Sequence, residues 1–192
     1  LVLPIVAYGH PALRKVCKDI TLDYPQLDKF IEDMWETMTA SYGVGLAAPQ
    51  VNKEIRLFII DTVQMFENMH EVDKAEYPDA PGLKQLFINA HLKELDGEEW
   101  PYNEGCLSIP KIREDIFRPE TITLEYMDEK FQPHTQTFNG LTARVIQHEY
   151  DHIEGKLFID YLPPLKKKLM KGKLTDISKG KVEVDYKMVF PG

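Results

Sequence analysis

Gln147-His148-Glu149-Tyr150-Asp151-His152 contains the pattern His-Glu-x-x-His, and its reading decides how the rest of the chain must fold. On a helix, residues four apart stand one turn above each other, about 6 Å along the axis, so both imidazoles leave the same face. Glu149 projects roughly 100° round the axis from His148, which sets a carboxylate beside an ion held by the two rings without making it a ligand. That arrangement suits metal-assisted hydrolysis. The flanking residues favour a helix. Asn139 or Thr142 is available as N-cap, and Gly155 sits where a left-handed C-terminal residue is expected. Leu141, Val145, His148 and His152 are spaced four, three and four, which is one helical face. A core helix with two hydrogen-bonded histidines is the plainer alternative; two histidines and a glutamate at this spacing favour a metal.

A catalytic site of this kind needs a third protein ligand and leaves the next position open to water. His148 to Phe158 reads His-Glu-x-x-His-x-x-Gly-x-x-Phe, where a final histidine would complete a longer metallopeptidase pattern. Phe158 cannot coordinate, so the third ligand must come from elsewhere. Of the two thiols, Cys106 is better placed, in Glu104-Gly105-Cys106-Leu107-Ser108-Ile109-Pro110, beside a glycine that permits close approach. A thiolate with two imidazoles is a recognised open coordination set. A buried inert thiol is the alternative.

Outward from these segments, the 192 residues suffice for a single domain with a real core, and neither repeats nor a linker divide them. A formal charge of −8 argues against a DNA or bulk nucleic-acid binder, though it permits a local basic patch. No apolar run reaches membrane-spanning length and no signal-peptide pattern opens the chain; Leu1-Val2-Leu3-Pro4 lacks Met, which leaves room for a processed or trimmed start. Two cysteines are too few for a disulfide scaffold, so a reducing cytoplasm is expected and a Cys17–Cys106 bridge is disfavoured.

Pro25 opens a helix running to Ser41, whose apolar positions Leu27, Phe30, Ile31, Met34, Trp35 and Met38 trace one face. Gly43-Val44-Gly45-Leu46-Ala47-Ala48-Pro49-Gln50 reads either as a tight loop of small residues or as a place where a substrate backbone passes close, with Gln50 a neutral donor. Ile55 to Asp61 is a buried strand, and residues 62–82, acidic and ending in Pro78, Pro81 and Gly82, are a surface insertion with solvated acids. Leu86 to Leu92 resumes strand character, Asp96-Gly97 offers a turn, and Thr121 to Met127 pairs with Phe131 to Phe138 as a hairpin. His10, His70, His91 and His134 receive no role. Residues 163–192 are read as a basic helix, Pro163 to Lys171, and a strand alternating from Val182 to Val189. Between Lys166 and Lys181 seven lysines oppose only Asp176, a solvated face or an RNA-docking one.

Three segments together, Gly43 to Gln50, Glu104 to Ser108 and Gln147 to His152, resemble in order and spacing the three motifs of peptide deformylase. The resemblance extends to the N-terminal run Leu3-Pro4-Ile5-Val6-x-Tyr8-Gly9-x-Pro11-x-Leu13-Arg14, whereas the 62–82 segment and the strand-like C-terminus depart from the family form that ends in a long helix. It implies that Cys106, His148 and His152 hold one divalent metal with water as fourth ligand, Fe(II) natively, with Zn, Ni or Co able to substitute. The implied substrate is the N-formyl-methionyl end of a nascent chain, and the products are formate and a free amine. Glu149 would act as general base and proton donor, and the Gln50 side-chain amide and the Leu107 N–H would meet the oxyanion. Val44, Leu141 and Val145 resemble the methionine-pocket positions; Gly45 and Gly105 belong with the substrate-binding positions; Glu104 and Arg118 resemble an ion pair that braces the cysteine strand.

The expected fold is α+β, a single compact domain of antiparallel strands around the central metal-binding helix, with the Pro25–Ser41 helix packed outside. The expected location is cytoplasmic, with docking to the ribosome through the basic C-terminal region. The competing readings are a His-Glu-x-x-His metallopeptidase with a different third ligand and a non-catalytic metal-binding module.

Overall fold

A computed structural model describes residues 1–191. Strand β1 (Ile5–Val6) and a 3₁₀ turn (Pro11–Arg14) precede helix α1 (Leu27–Ala40). Strand β2 (Gly45–Ala47), a second 3₁₀ turn (Ala48–Val51) and β3 (Leu57–Asp61) follow, then two short helices, α2 (Val63–Glu67) and α3 (Glu71–Lys74). Long strands β4 (Lys84–Cys106) and β5 (Ile109–Met127) and the shorter β6 (Pro133–Phe138) lead into α4 (Gly140–Ile153). A third 3₁₀ turn (Phe158–Tyr161), α5 (Pro164–Ser178) and β7 (Met188–Val189) complete the order. Five strands form one antiparallel sheet in the order β2-β3-β4-β5-β6, and β1 and β7 form a separate parallel pair.

Strand β3 explains why the domain closes around α4. Side chains alternate between faces along a strand. Phe58 and Ile60 join a cluster with Ala143, Ile146 and Ile153 of α4, while Leu57 and Ile59 join one with Phe30, Met34 and Met38 of α1. A strand covered on both faces reads as an unbroken apolar run, as Leu57–Ile60 does. Twelve of the fourteen α4 residues are buried, so the metal-motif helix is central and α1 lies on the opposite face of the sheet. This is the α+β arrangement expected from the sequence.

Several local expectations change. The α1 helix starts at Leu27, because Gln26 before it is left-handed with φ 55°. Gly43–Gln50 is not simply a loop: Gly45–Ala47 pairs with Phe58–Ile60 as an edge strand. Asp96-Gly97 does not turn the chain; it marks a bulge within the β4–β5 ribbon, with Gly97 at φ 86°. A further register shift at Gly105/Cys106 ends β4 in a tight turn over Leu107 and Ser108. Residues 62–82 carry α2 and α3, and although much of the segment is exposed, Phe66 is buried.

Asp79, from the same segment, caps α4. Its Oδ1 accepts from the Leu141 N–H at 3.1 Å and its Oδ2 from the Thr142 N–H at 2.7 Å. Asn139 occupies the N-cap position without a side-chain cap bond, and the Thr142 hydroxyl pairs with that of Thr62 at 2.9 Å. Gly140 makes the cap possible: φ is 62°, and a Cβ there would lie 2.0 Å from Asp79 Oδ1. Gly155 follows α4 at φ 75°. Helix α5 runs past Lys171 to Ser178, and the strand expected over Val182–Val189 contracts to Met188–Val189, paired with Ile5 and Val6. Gly192, the last residue of the 163–192 segment, lies outside the described residues.

Candidate metal centre

Helix α4 carries His148 and His152 one turn apart, with ring centroids 5.2 Å from each other. The end of β4 brings Cys106 to them, its Sγ 3.4 Å from His152 Nε2. The three donor atoms all lie within 4.8 Å of one another. Tetrahedral bonds of about 2.3 Å to sulfur and about 2.1 Å to nitrogen put the two donors about 3.6 Å apart, so the observed sulfur–nitrogen spacing suits a shared divalent ion. Phe158, excluded as a ligand by its chemistry, stacks on the His148 ring with centroids 5.9 Å apart.

The imidazole of His148 is oriented from behind. Its Nδ1 donates to Glu104 Oε1 at 3.0 Å, which leaves Nε2 to face the other donors. Glu104 also accepts from Arg118 at 2.7 and 3.1 Å and from Arg144 at 3.0 Å, and Arg118 donates to Asp151 at 2.8 Å. The pair Glu104–Arg118 inferred from the resemblance is thus one edge of a buried network. Arg144, which the sequence reading passed over, is 1% exposed and ties Glu104 to the carbonyl of Ile116 at 2.7 Å. Its place four residues before His148, on the motif's own helical face, was the available signal.

Burial opposes ionisation of Glu104, but His148 and Arg118 hold its carboxyl far below the usual carboxylate range. Burial also draws both imidazoles down. At His148 the Cys106 sulfur and Glu104 outweigh it and hold the ring well above its ordinary value; His152, beside His148, stays well below.

Glu149 contrasts with Glu104. It is 4% exposed, its Oε1 has no hydrogen-bond partner among the described residues, and burial pushes its carboxyl up to about 7. Gly45 makes room for it, since a Cβ there would sit 2.5 Å from Glu149 Oε2. Glu149 faces a cleft of about 550 Å³ lined also by Val44, Gly45, Gly105, Cys106, Leu107 and Val145. Gln50 lines it too, anchored where its Oε1 accepts from the Ala47 N–H at 3.0 Å, with Nε2 donating to Ser108 Oγ at 3.1 Å and to Cys106 Sγ at 3.5 Å. Leu141 is fully buried and is not part of the lining. Met65, Tyr102 and the C-terminal Val184 and Tyr186 also line the cleft, none of which the motifs indicated. Cys17 and Cys106 are both free, and burial pushes the Cys17 thiol up to about 11.

A sequence model of the family described as polypeptide deformylase matches residues 2–168. A peptide deformylase of Christiangramia forsetii is 56% identical over 191 residues, covering 100% of this chain and 97% of the relative. One of Flavobacterium johnsoniae is 53% identical over 190 residues, covering 99% and 96%. Among solved structures, the peptide deformylase of Ehrlichia chaffeensis superposes with a TM-score of 0.81 at 30% identity, covering 94% of this chain and 99% of that one. That of Legionella pneumophila gives 0.77 at 34% identity, covering 94% and 98%. The donor triad, the unpartnered glutamate and these likenesses agree: the chain belongs to the polypeptide deformylase family, metal-dependent hydrolases that remove the N-formyl group from nascent chains.

Proposed function

We propose that Cys106, His148 and His152 hold one divalent ion, natively Fe(II), and that Glu149 moves the protons of deformylation. When bound, the ion supplies Lewis acidity and lowers the pKa of water at neutral pH. Thiolate and imidazole suit Fe(II), Zn, Ni and Co alike, so the assignment of Fe(II) follows the family resemblance rather than the donor chemistry. Glu149 takes a proton from the attacking water, and as the formyl carbon–nitrogen bond breaks it delivers that proton to the methionyl nitrogen, leaving formate and a free amine. The Gln50 amide and the Leu107 N–H receive the charge that develops on the formyl oxygen.

Val44 and Val145 line the cleft and would contact the methionine side chain, with Leu141 supporting them from the core. Gly45 and Gly105 keep the walls free of side chains where the substrate backbone passes. Exposed lysines of α5 (Lys167, Lys168, Lys171 and Lys173) offer phosphate contacts for docking to the ribosome. Two free thiols, one of them a metal ligand, suit a reducing cytoplasm.

The observation that carries the reading is Glu149, buried, with Oε1 unpartnered among the described residues, one residue from His148 and facing a side-chain-free wall at Gly45. Glu149→Ala should keep one metal per chain and lose formate release from formyl-Met-Ala-Ser. Unchanged turnover in that variant would exclude the mechanism.

A further inference from the structure

The family match ends at residue 168, yet the cleft has a wall beyond it. Val184, Asp185 and Tyr186 line the same cavity as Cys106, His148 and Glu149. Burial in this stretch alternates: Val182, Val184, Tyr186 and Met188 are half-buried, while Lys181, Glu183, Asp185 and Lys187 are exposed. The period of two read from the sequence is therefore present, although a ladder forms only at its end. There the Ile5 N–H donates to the Lys187 carbonyl and the Ala7 N–H to the Val189 carbonyl, both at 2.9 Å, which pins the segment beside the cleft.

Inside this anchored stretch the Tyr186 hydroxyl donates to the Leu107 carbonyl at 2.7 Å. Burial raises the hydroxyl well above its ordinary pKa, so it remains a donor throughout the neutral range. The Leu107–Ser108 turn is then held at three points. Tyr186 holds the Leu107 carbonyl, the Tyr8 N–H donates to the Ser108 carbonyl at 2.9 Å, and Gln50 donates to Ser108 Oγ. As the first central residue of a tight turn, Leu107 has an N–H that the turn does not use itself. Its direction is set by backbone torsions next to the carbonyl that Tyr186 holds.

We propose that Tyr186 is a positioning residue for this turn, and that the C-terminal segment thereby completes the catalytic cleft by aiming the Leu107 N–H at the formyl oxygen. The inference rests on the oxyanion role given to Leu107 above. It concerns a hydroxyl whose bond goes to the Leu107 carbonyl, so its effect should appear in the transition state and in the turn's own dynamics.

Tyr186→Phe keeps the ring and removes only the hydroxyl. In the full metal-loaded chain, kcat for formyl-Met-Ala-Ser should fall on the order of tenfold, less than the loss of an oxyanion donor outright. KM should stay within about twofold, because the contact serves the transition state rather than ground-state binding. Hydrogen exchange at the Tyr8 amide, which donates to the Ser108 carbonyl of this turn, should accelerate several-fold while the α4 amides keep their rates. Wild-type kcat with unchanged exchange overturns this inference and leaves the role of Leu107 standing. Faster exchange with wild-type kcat overturns both. A rise in KM alone, or a fall in kcat without faster exchange, also overturns it.

Discussion

Two glutamates flank the metal helix's first histidine and behave in opposite ways. Glu104 accepts from His148, Arg118 and Arg144, and its carboxyl stays far below the usual range. Glu149 has one oxygen without a partner among the described residues, and its carboxyl is pushed up to about 7. Both are 4% exposed, so burial does not distinguish them. The difference is the company each keeps. In the proposed mechanism Glu104 is accordingly the fixed support and Glu149 the proton carrier. The fold separates them by source: Arg118 and the β4 end of the ribbon surround Glu104, whereas a bare glycine edge faces Glu149.

The largest effect should fall on the bare side. Glu149→Ala removes the proposed proton carrier and should lower kcat by ~10²–10⁴, with metal content unchanged by elemental analysis. Next is Gly45→Ala, which places a methyl where the Glu149 carboxylate now lies 2.5 Å from the ideal Cβ. The carboxylate must shift, and kcat should fall by roughly 10²-fold with metal content again unchanged. Wild-type turnover in Gly45→Ala would show that the position of Glu149 is not critical. The smallest effect on chemistry falls on the braced side. Glu104→Gln removes the negative charge behind His148 Nδ1, takes from Arg144 its carboxylate partner and leaves Arg118 with Asp151 alone. Metal affinity in a competitive-chelator titration should fall by ~10–100-fold, and thermal unfolding should show a loss of about 3–5 kcal/mol. Unaltered affinity would mean that Glu104 supports the fold alone.

The same contrast separates what the sequence made legible from what it concealed. The candidate donor set was partly readable: the two histidines obey helical spacing, Phe158 excluded the nearest third ligand, and Cys106 was singled out by the resemblance to the family motifs. Strand β3 and helix α1 were readable because burial on both faces leaves an unbroken apolar run and burial of one stripe leaves a helical period. Asp96-Gly97 misled because a glycine bulge and a hairpin turn share the same local composition. The Asp79 cap was invisible: its acceptors serve Leu141 and Thr142, more than sixty positions away, and no local pattern records that. In the tail the alternation was correct but the partner was hidden, since the two-residue ladder forms with Ile5 and Val6 at the opposite end of the chain.

The proposed mechanism requires one thiolate and two imidazoles to share a single ion, and X-ray absorption at the metal edge of anaerobically purified protein tests this directly. It should show one sulfur scatterer at about 2.3 Å and a nitrogen/oxygen shell near about 2.1 Å, with the sulfur contribution lost in Cys106→Ser. A first shell of nitrogen and oxygen alone, or a sulfur signal that survives in Cys106→Ser, would contradict it.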